Sequence, residues 1–364
     1  MEEVRAMFAY LALAPTGHPH DQMVAYLASV LRGYNPHWSA SSLEAMRQSS
    51  KVTLGPTEYQ ASDRGSPIDI QKSPVIIPLT CEATGLYITA FIDGHPMKLL
   101  LDTGAGESIT LTPQAARRLL LLRLGTSTIS GTQGSEQSTD YVAKNLQLGR
   151  LRWSSVPIRT VDVGSSDGIL GVGFLGHYVV SLDLAHQVIR LTASAEAPLA
   201  GTSRQSLHFH EYQQGVMFPA QVGGQDVWAE LDTGSASTTA SKRIAEALAE
   251  NLPAGAVERA VSTDKSGIGK TSTKISRLRL DHPFDMVWGR KPLQVGLTVP
   301  ELEGGSFLDD EISPRLDFEV GMLVGVSSLR AFQQVIIDYK HQSLFFDRHI
   351  EDMRVSPVTV TTPP

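Results

Sequence analysis

The residues of this 364-residue chain with the clearest chemical potential form one tripeptide that occurs twice, as Asp102-Thr103-Gly104 and Asp232-Thr233-Gly234. Each copy follows an apolar run that predicts a buried strand, and its glycine permits a tight turn. Each aspartate is therefore expected on a turn inside the protein. Two carboxyls brought face to face do not ionise together easily, so one keeps a proton while the other takes one from water. A pair of this kind can act as general base and general acid in the hydrolysis of a peptide bond.

The segments that position the two aspartates are built alike. Residues 86–105 read as a strand, a hairpin turn at Asp93-Gly94 and a second strand that delivers Asp102. Residues 215–235 repeat this order, with a Gly223-Gly224 turn before the strand that ends at Asp232. Both carboxyls are therefore expected at the ends of hairpin strands.

Further elements repeat after each tripeptide. They are a short helix (111–121 and 240–250), a glycine-containing hairpin (129–137 and 264–272), an apolar-apolar-glycine segment (Ile169-Leu170-Gly171 and Leu323-Val324-Gly325) and a β-rich stretch (178–191 and 332–346). Five matching elements in one order predict an internal duplication. Asp102 to Gly171 spans 69 positions and Asp232 to Gly325 spans 93, so the second half holds an insertion of 24 residues, expected within 281–320.

This ordered set resembles the aspartic proteases, and each half alone resembles a retropepsin subunit. The resemblance covers about 73–348. It implies a mainly β, bilobal acid-protease fold, with two retropepsin-like β-barrel lobes in one chain as in pepsin-like enzymes. Asp102 and Asp232 would be the catalytic pair. The resemblance also implies that Thr103 and Thr233 brace the two loops against each other and that Gly104 and Gly234 form the turns.

The resemblance assigns roles to the surrounding segments as well. Gly131, Thr132, Gln133 and Gly134 correspond to a flap over the cleft, where an extended substrate pairs as an added strand. Gly267, Ile268 and Gly269 correspond to a second flap or to an element of lobe packing. The two apolar-apolar-glycine segments would lie next to the Asp-Thr-Gly loops. No tyrosine occurs in 129–137, where pepsin-like enzymes carry one in the flap.

The residue that follows each tripeptide differs between the halves, being Ala105 in the first and Ser235 in the second. A hydroxyl at this position can donate a hydrogen bond to an ionised carboxylate, which lowers its pKa, and alanine cannot. We therefore expect Ser235 to tune the pair from one side only.

The favoured function is an aspartic endopeptidase that hydrolyses peptide bonds with a water activated between two carboxylates. The resemblance implies an extended polypeptide substrate, binding of statine-type inhibitors and no metal or organic cofactor. Since both aspartates lie in one chain, a monomer is expected to be complete. Two alternatives stay open: a non-catalytic peptide-binding module that keeps the fold, and a two-carboxylate hydrolase that acts on another bond.

The composition of the chain excludes some classes of binding partner. The net charge is −7, without a cluster rich in lysine and arginine, which argues against nucleic acid or an anionic membrane as a partner. No apolar run reaches transmembrane length. The single cysteine, Cys81, excludes an intrachain disulfide. We expect a soluble protein, and cytoplasmic, periplasmic and secreted locations all stay open.

The predicted domain order follows from these patterns. Residues 1–72 form a helical N-terminal extension, either a packing segment or a propeptide, because 18–33 has helical spacing and Ser41 with Glu44 forms a capping box. The predicted boundaries are a first lobe over 73–192, a linker over 193–205, a second lobe over 206–350 and a C-terminal tail over 351–364.

Overall fold

The computed structural model describes residues 74–131, 134–162, 166–193, 205–212, 215–264, 273–290, 293–299, 301–305, 308 and 320–348. Strands dominate this part of the chain, so the fold is mainly β, as the sequence predicts. The predicted extension 1–72, most of the predicted linker 193–205 and the tail 351–364 lie outside the described residues. None of the helices in the described ranges is long and apolar enough to cross a membrane.

The first half contributes eleven described strands and two short helices. In chain order the strands are β1 (Val75–Pro78), β2 (Thr80–Glu82), β3 (Gly85–Ile92), β4 (His95–Leu101), β5 (Ile109–Leu111), β6 (Leu122–Gly131), β7 (Gly134–Leu148), β8 (Leu151–Thr160), β9 (Gly168–Leu170), β10 (Tyr178–Asp183) and β11 (Val188–Ala193). The helices are α1 (Pro113–Arg118) and α2 (Val172–Leu175). The hydroxyl of Thr112 caps α1 by accepting from the amide of Ala115.

The second half follows the same plan with additional strands. They are β12 (Gln205–His208), β13 (His210–Tyr212), β14 (Gly215–Val222), β15 (Gln225–Leu231), β16 (Thr239–Ser241), β17 (Val257–Asp264), β18 (Thr273–Leu280), β19 (Phe284–Arg290), β20 (Leu293–Val299), β21 (Leu302–Gly305), β22 (Val320–Val324), β23 (Phe332–Asp338) and β24 (Ser343–Arg348). The helices are α3 (Lys242–Ala249), which Ser241 caps, and α4 (Val326–Leu329); a 3-10 turn spans Ala254–Ala256.

Each half builds one large sheet around its Asp-Thr-Gly loop. The first has the order β2-β3-β4-β9-β5-β8-β7-β6, and the second β17-β18-β21-β16-β22-β15-β14-β19-β20 with β13 against β14. Both sheets end in edge strands among the described residues, so the closed β-barrels expected from the sequence are not formed. In the first sheet β3 also pairs with β7, but only through Phe91 and Ile92, which is too short to close a regular barrel.

The strands that carry the aspartates have the same neighbours in both sheets. β4 is parallel to β9, β9 is antiparallel to β5, and β5 is parallel to β8. In the second sheet β15 is parallel to β22, β22 is antiparallel to β16, and β16 is parallel to β21. Each aspartate therefore follows a central strand that is hydrogen-bonded on both sides, which fixes where its loop begins.

A third sheet joins the two halves. Its order is β1-β11-β10-β23-β24-β12, and β10 and β23 lie antiparallel at its centre with Val180 opposite Ile337. Both of these side chains are fully buried. One continuous hydrophobic core includes residues of both halves, so the sheet and the core together hold the two Asp-Thr-Gly loops in a fixed relation.

Two turns in this sheet share the pattern D-x-x-H-Q, over 183–187 and 338–342, which adds a further repeat to those around the tripeptides. In both turns the aspartate accepts a hydrogen bond from the backbone amide of the histidine three residues later. The imidazole Nδ1 of that histidine also lies 2.8 Å from the carboxylate. Each turn ends on a glutamine in the left-handed region, at φ 53° for Gln187 and 48° for Gln342.

In chain order, the second half has an additional hairpin of β19 and β20 after β18 and before β21. It occupies 284–299, inside the stretch where an insertion is predicted, and β19 pairs with the outer side of β14. Trp288 of β19 is fully buried and packs against Phe218, Phe332 and Phe346. The additional hairpin thus contributes to the core of its half.

Candidate active site

The two aspartates begin loops that are anchored in the same way. The amide of Asp102 donates to the carbonyl of Leu170 at 3.0 Å, and the amide of Asp232 donates to the carbonyl of Val324 at 3.0 Å. These acceptors belong to the two apolar-apolar-glycine segments. The structure therefore brings each segment against its Asp-Thr-Gly loop.

The glycine that ends each of these segments allows the close approach. A Cβ on Gly171 would lie 2.3 Å from the carbonyl oxygen of Glu107, and one on Gly325 would lie 2.1 Å from that of Ser237. Only glycine fits against backbone at that separation. The next amide, that of Val172 or Val326, donates back into the loop at 2.8 or 2.9 Å.

Thr103 and Thr233 tie the two loops together across the midline. The amide of each donates to the hydroxyl of the other, at 3.1 Å from Thr103 and 3.0 Å from Thr233. Each hydroxyl in turn donates to a carbonyl at the end of the opposite strand, Thr103 to Leu231 at 2.6 Å and Thr233 to Leu101 at 2.8 Å. Both side chains are buried. The geometry expected of a brace is present.

This brace places the two carboxyls side by side. Each accepts the amide of its own glycine at Oδ1, Asp102 from Gly104 and Asp232 from Gly234, both at 2.8 Å. A Cβ added to Gly104 would lie 3.1 Å from Oδ1 of Asp232 and 3.4 Å from Oδ1 of Asp102. On Gly234 it would lie 2.4 Å from Cγ of Asp102. A side chain at Gly234 would collide with Asp102, and one at Gly104 would be in tight contact with Asp232, so both positions favour glycine.

The electrostatics of the two carboxyls differ. Burial raises the pKa of both, and the charge of Asp232 raises the pKa of Asp102 further. A hydrogen bond between the two side chains again raises the pKa of Asp102 but lowers that of Asp232. Amide donors partly offset these effects on both. The arrangement favours one protonated and one ionised carboxyl, which share a single proton.

The predicted tuning role of Ser235 is not supported by its contacts. Its hydroxyl donates to the carbonyl of Ser237 at 2.8 Å, so that proton is not directed at the pair. The backbone amides of Ser235 and Ala105 instead lower the pKa of Asp232 and Asp102 respectively. Both halves therefore lower the pKa of their aspartate in the same way at this position, because the hydrogen-bond donor is a backbone amide that alanine and serine share.

A third carboxyl, that of Glu230, lies close to the pair and was missed from the sequence. It is two residues before Asp232 on β15 and is partly exposed. Burial, and then the charges of Asp232 and Asp102, raise its pKa to about 8. The available signal was a glutamate at an alternating position inside the apolar run VWAEL.

The predicted flap residues are described in part. Gly131 and Gly134 end the β6–β7 hairpin and face each other in register, while Thr132 and Gln133 lie outside the described residues. In the second half β17 and β18 form a hairpin that is described up to Asp264 opposite Thr273. Gly267, Ile268 and Gly269 lie outside the described residues.

Comparison with known families bears on the first half of the site. No curated protein matches the chain. A family model described as "gag-polyprotein putative aspartyl protease" matches residues 88–177. This stretch includes Asp102 and the apolar-apolar-glycine segment that contains Leu170. Over these residues the chain is similar to that aspartyl protease family, and the match together with the mainly β fold supports a retropepsin-like aspartyl protease domain in this part of the chain.

Proposed function

We propose that this protein is an aspartic endopeptidase with Asp102 and Asp232 as its catalytic pair. The observation that carries the proposal is the pairing of two carboxyls from separate Asp-Thr-Gly turns through the reciprocal hydrogen bonds of Thr103 and Thr233. A single carboxyl cannot both remove a proton from water and donate one to a carbonyl in the same step. Two carboxyls with unequal pKa values can.

The chemical steps follow from the unequal pair. Ionised Asp232 removes a proton from a water held between the two carboxyls, and the oxygen of that water attacks the scissile carbonyl carbon. Protonated Asp102 hydrogen-bonds the carbonyl oxygen and stabilises the negative charge that develops there. The tetrahedral intermediate collapses when the peptide nitrogen takes a proton from the pair and leaves as an amine. The pair shares one proton, so the pH profile reports values of the pair and not of either residue.

The proposed architecture has two lobes that arose by duplication, 73–192 and 206–350, joined by a linker at 193–205. Its support is the shared strand pairing around the two aspartates and the two D-x-x-H-Q turns. In this proposal one chain forms the complete site. The additional hairpin β19–β20 is the insertion that distinguishes the second lobe.

The proposed substrate is an extended polypeptide. It would lie across the pair with its backbone along the flap at Gly131 to Gly134, and the hairpin at Gly267 to Gly269 would be a second flap or a packing element. No metal or organic cofactor takes part in the proposed steps. Statine-type peptides, whose hydroxyl stands in for the attacking water, are expected to bind.

The test is cleavage of an unstructured protein and of quenched peptides, followed by mass spectrometry of the products. We expect internal peptide-bond cleavage that a statine-type inhibitor blocks and that Asp102→Asn abolishes. Tight peptide binding without cleavage over about pH 3–8, a range that includes ordinary carboxyl pKa values, would instead identify a binding module. Cleavage of a non-peptide bond alone would identify a different hydrolase.

A further inference from the structure

Glu230 is placed on the face of β15 that does not enter the main core. Residues at alternating positions of β15 are buried in that core, namely Val227, Ala229 and Leu231. Glu230 lies between them in sequence and therefore points to the opposite face. Its partners in register are Met217 on β14 and Leu323 on β22, both buried in a separate apolar cluster. The carboxyl thus stands among apolar side chains beside the catalytic pair.

Among the described residues, no hydrogen bond or ion pair satisfies the carboxyl of Glu230. Its electrostatic neighbours are Asp232 and Asp102, which carry the same sign of charge. Other acidic side chains of these sheets do have cationic partners. Glu107 contacts Arg159 at 2.5 Å, for example, and Glu82 contacts Lys98 at 2.6 Å. A carboxyl in these surroundings is costly to ionise, and a positive charge placed beside it would relieve that cost.

The corresponding position in the first half is apolar. Leu100 lies two residues before Asp102, opposite Ile169 of β9, just as Glu230 lies opposite Leu323 of β22. Both side chains are partly exposed. The two flanks of the catalytic pair therefore present different chemistry, leucine on one side and glutamate on the other.

From this asymmetry we propose that Glu230 selects substrates with a lysine or arginine next to the scissile bond, on the side of the second half. The inference rests on the proposed peptidase function and names its substrate class. The substrate ammonium or guanidinium pairs with the Glu230 carboxylate, while Leu100 receives an apolar side chain on the other flank. A cation at this point also offsets the raised pKa of Glu230, because it favours the ionised form.

The experiment compares quenched peptides that differ at one residue, lysine against norleucine, placed on either side of the cleaved bond. At neutral pH we expect kcat/KM to favour lysine by about tenfold on one side of the bond and not on the other. In Glu230→Gln this ratio falls to about one, and in Glu230→Leu, which copies the first half, norleucine is favoured. Asp226→Asn, an exposed position on the same strand and face, is the matched control and keeps the wild-type ratio.

A second readout separates this inference from the proposed function. Asp102→Asn chains, with and without Glu230→Gln, are titrated with the same peptides by fluorescence anisotropy. A lysine preference in Kd that disappears with Glu230→Gln supports the role of Glu230 even if no bond is cleaved. Dyad-dependent cleavage with an equal lysine to norleucine ratio in wild type and Glu230→Gln overturns the inference and leaves the peptidase proposal standing. Equal binding without any cleavage overturns both.

Discussion

The amide of Thr103 donates to the hydroxyl of Thr233, and the amide of Thr233 donates to the hydroxyl of Thr103. Each hydroxyl also donates to the carbonyl of the last residue of the opposite strand, Leu231 of β15 or Leu101 of β4. Both threonine side chains are buried, and four hydrogen bonds connect the two halves at this point. The relative position of the two carboxyls depends on this exchange, since each aspartate directly precedes one of these threonines.

The hydrogen bonds between Thr103 and Thr233 predict that Thr103→Val lowers both stability and activity. Valine keeps the shape but removes the hydroxyl, which leaves the amide of Thr233 and the carbonyl of Leu231 buried without partners. We expect a loss of about 2 kcal/mol in unfolding free energy and a fall in kcat of at least tenfold. Thr103→Ser, which keeps the hydroxyl, should lose much less. Denaturant unfolding and peptide turnover measure both effects, with exposed Thr89→Val as the control; equal behaviour of the valine and serine variants would contradict the brace.

The proposed catalytic pair predicts that Asp232→Asn loses activity without losing stability. Turnover should vanish because asparagine cannot take a proton from water. The melting temperature at pH 7 should be unchanged or higher, since the folded-state pKa is raised and ionisation therefore costs stability at pH values above the ordinary pKa. At pH values below the ordinary pKa the wild type is protonated in both states, and this advantage should disappear. Calorimetry across pH checks the prediction, and near-wild-type turnover in this variant would refute the pair.

Glu230 predicts a distinct pH dependence of stability. Its folded pKa of about 8 exceeds its ordinary value of 4.5, so the wild type loses stability as pH rises from about 4.5 to about 8. Glu230→Gln should remove that loss, so its gain in unfolding free energy over the wild type should be large at pH 8 and absent at pH 4. Chemical denaturation at both pH values gives the comparison, with Asp226→Asn as control. A gain that is the same at both pH values would show that ionisation is not its cause.

The contacts of Ser235 predict that Ser235→Ala leaves the acidic limb of the pH profile of kcat/KM where it is. The hydroxyl donates to Ser237, and the amide that faces Asp232 survives the substitution. An upward move of the acidic limb in Ser235→Ala would show that the hydroxyl does reach the pair during catalysis, as the sequence alone suggests.

The shared sheet predicts a monomer that is complete in catalysis. Specific activity should be constant over a thousandfold dilution, while light scattering reports one chain throughout. A fall in activity that follows dissociation of a dimer would mean that the lobes pair between chains.

Much of the site could be predicted because its determinants are local. An apolar strand, an aspartate and a glycine turn define each loop, and the twofold occurrence of that pattern also identified the segments at Leu170 and Val324. The tuning role of Ser235 stays a prediction, because a serine hydroxyl can turn to a carbonyl two residues away, here that of Ser237, and sequence does not show which acceptor is closer.

Other features depended on tertiary contacts. Alternation along VWAEL shows that Glu230 and Leu231 lie on opposite faces, but not that Met217 and Leu323 flank Glu230 on the neighbouring strands. The prediction of closed barrels was wrong for a similar reason. The sequence predicts which segments are strands, but it does not determine whether the first and last strands of a sheet pair with each other. The D-x-x-H-Q turns lie far in sequence from the tripeptides, so the pattern around the aspartates does not predict them.

The central pairing of β10 with β23 also has a consequence for the newly made chain. Strand β10 ends at Asp183, but the strand that completes its hydrogen bonding begins at Phe332, near the end of the described chain. A polypeptide emerging from the ribosome therefore carries its first Asp-Thr-Gly loop long before the second loop can be docked against it. Until β23 has been synthesised, the sheet that joins the two halves cannot form, so neither carboxyl has its neighbour and the hydrolytic chemistry proposed here is withheld.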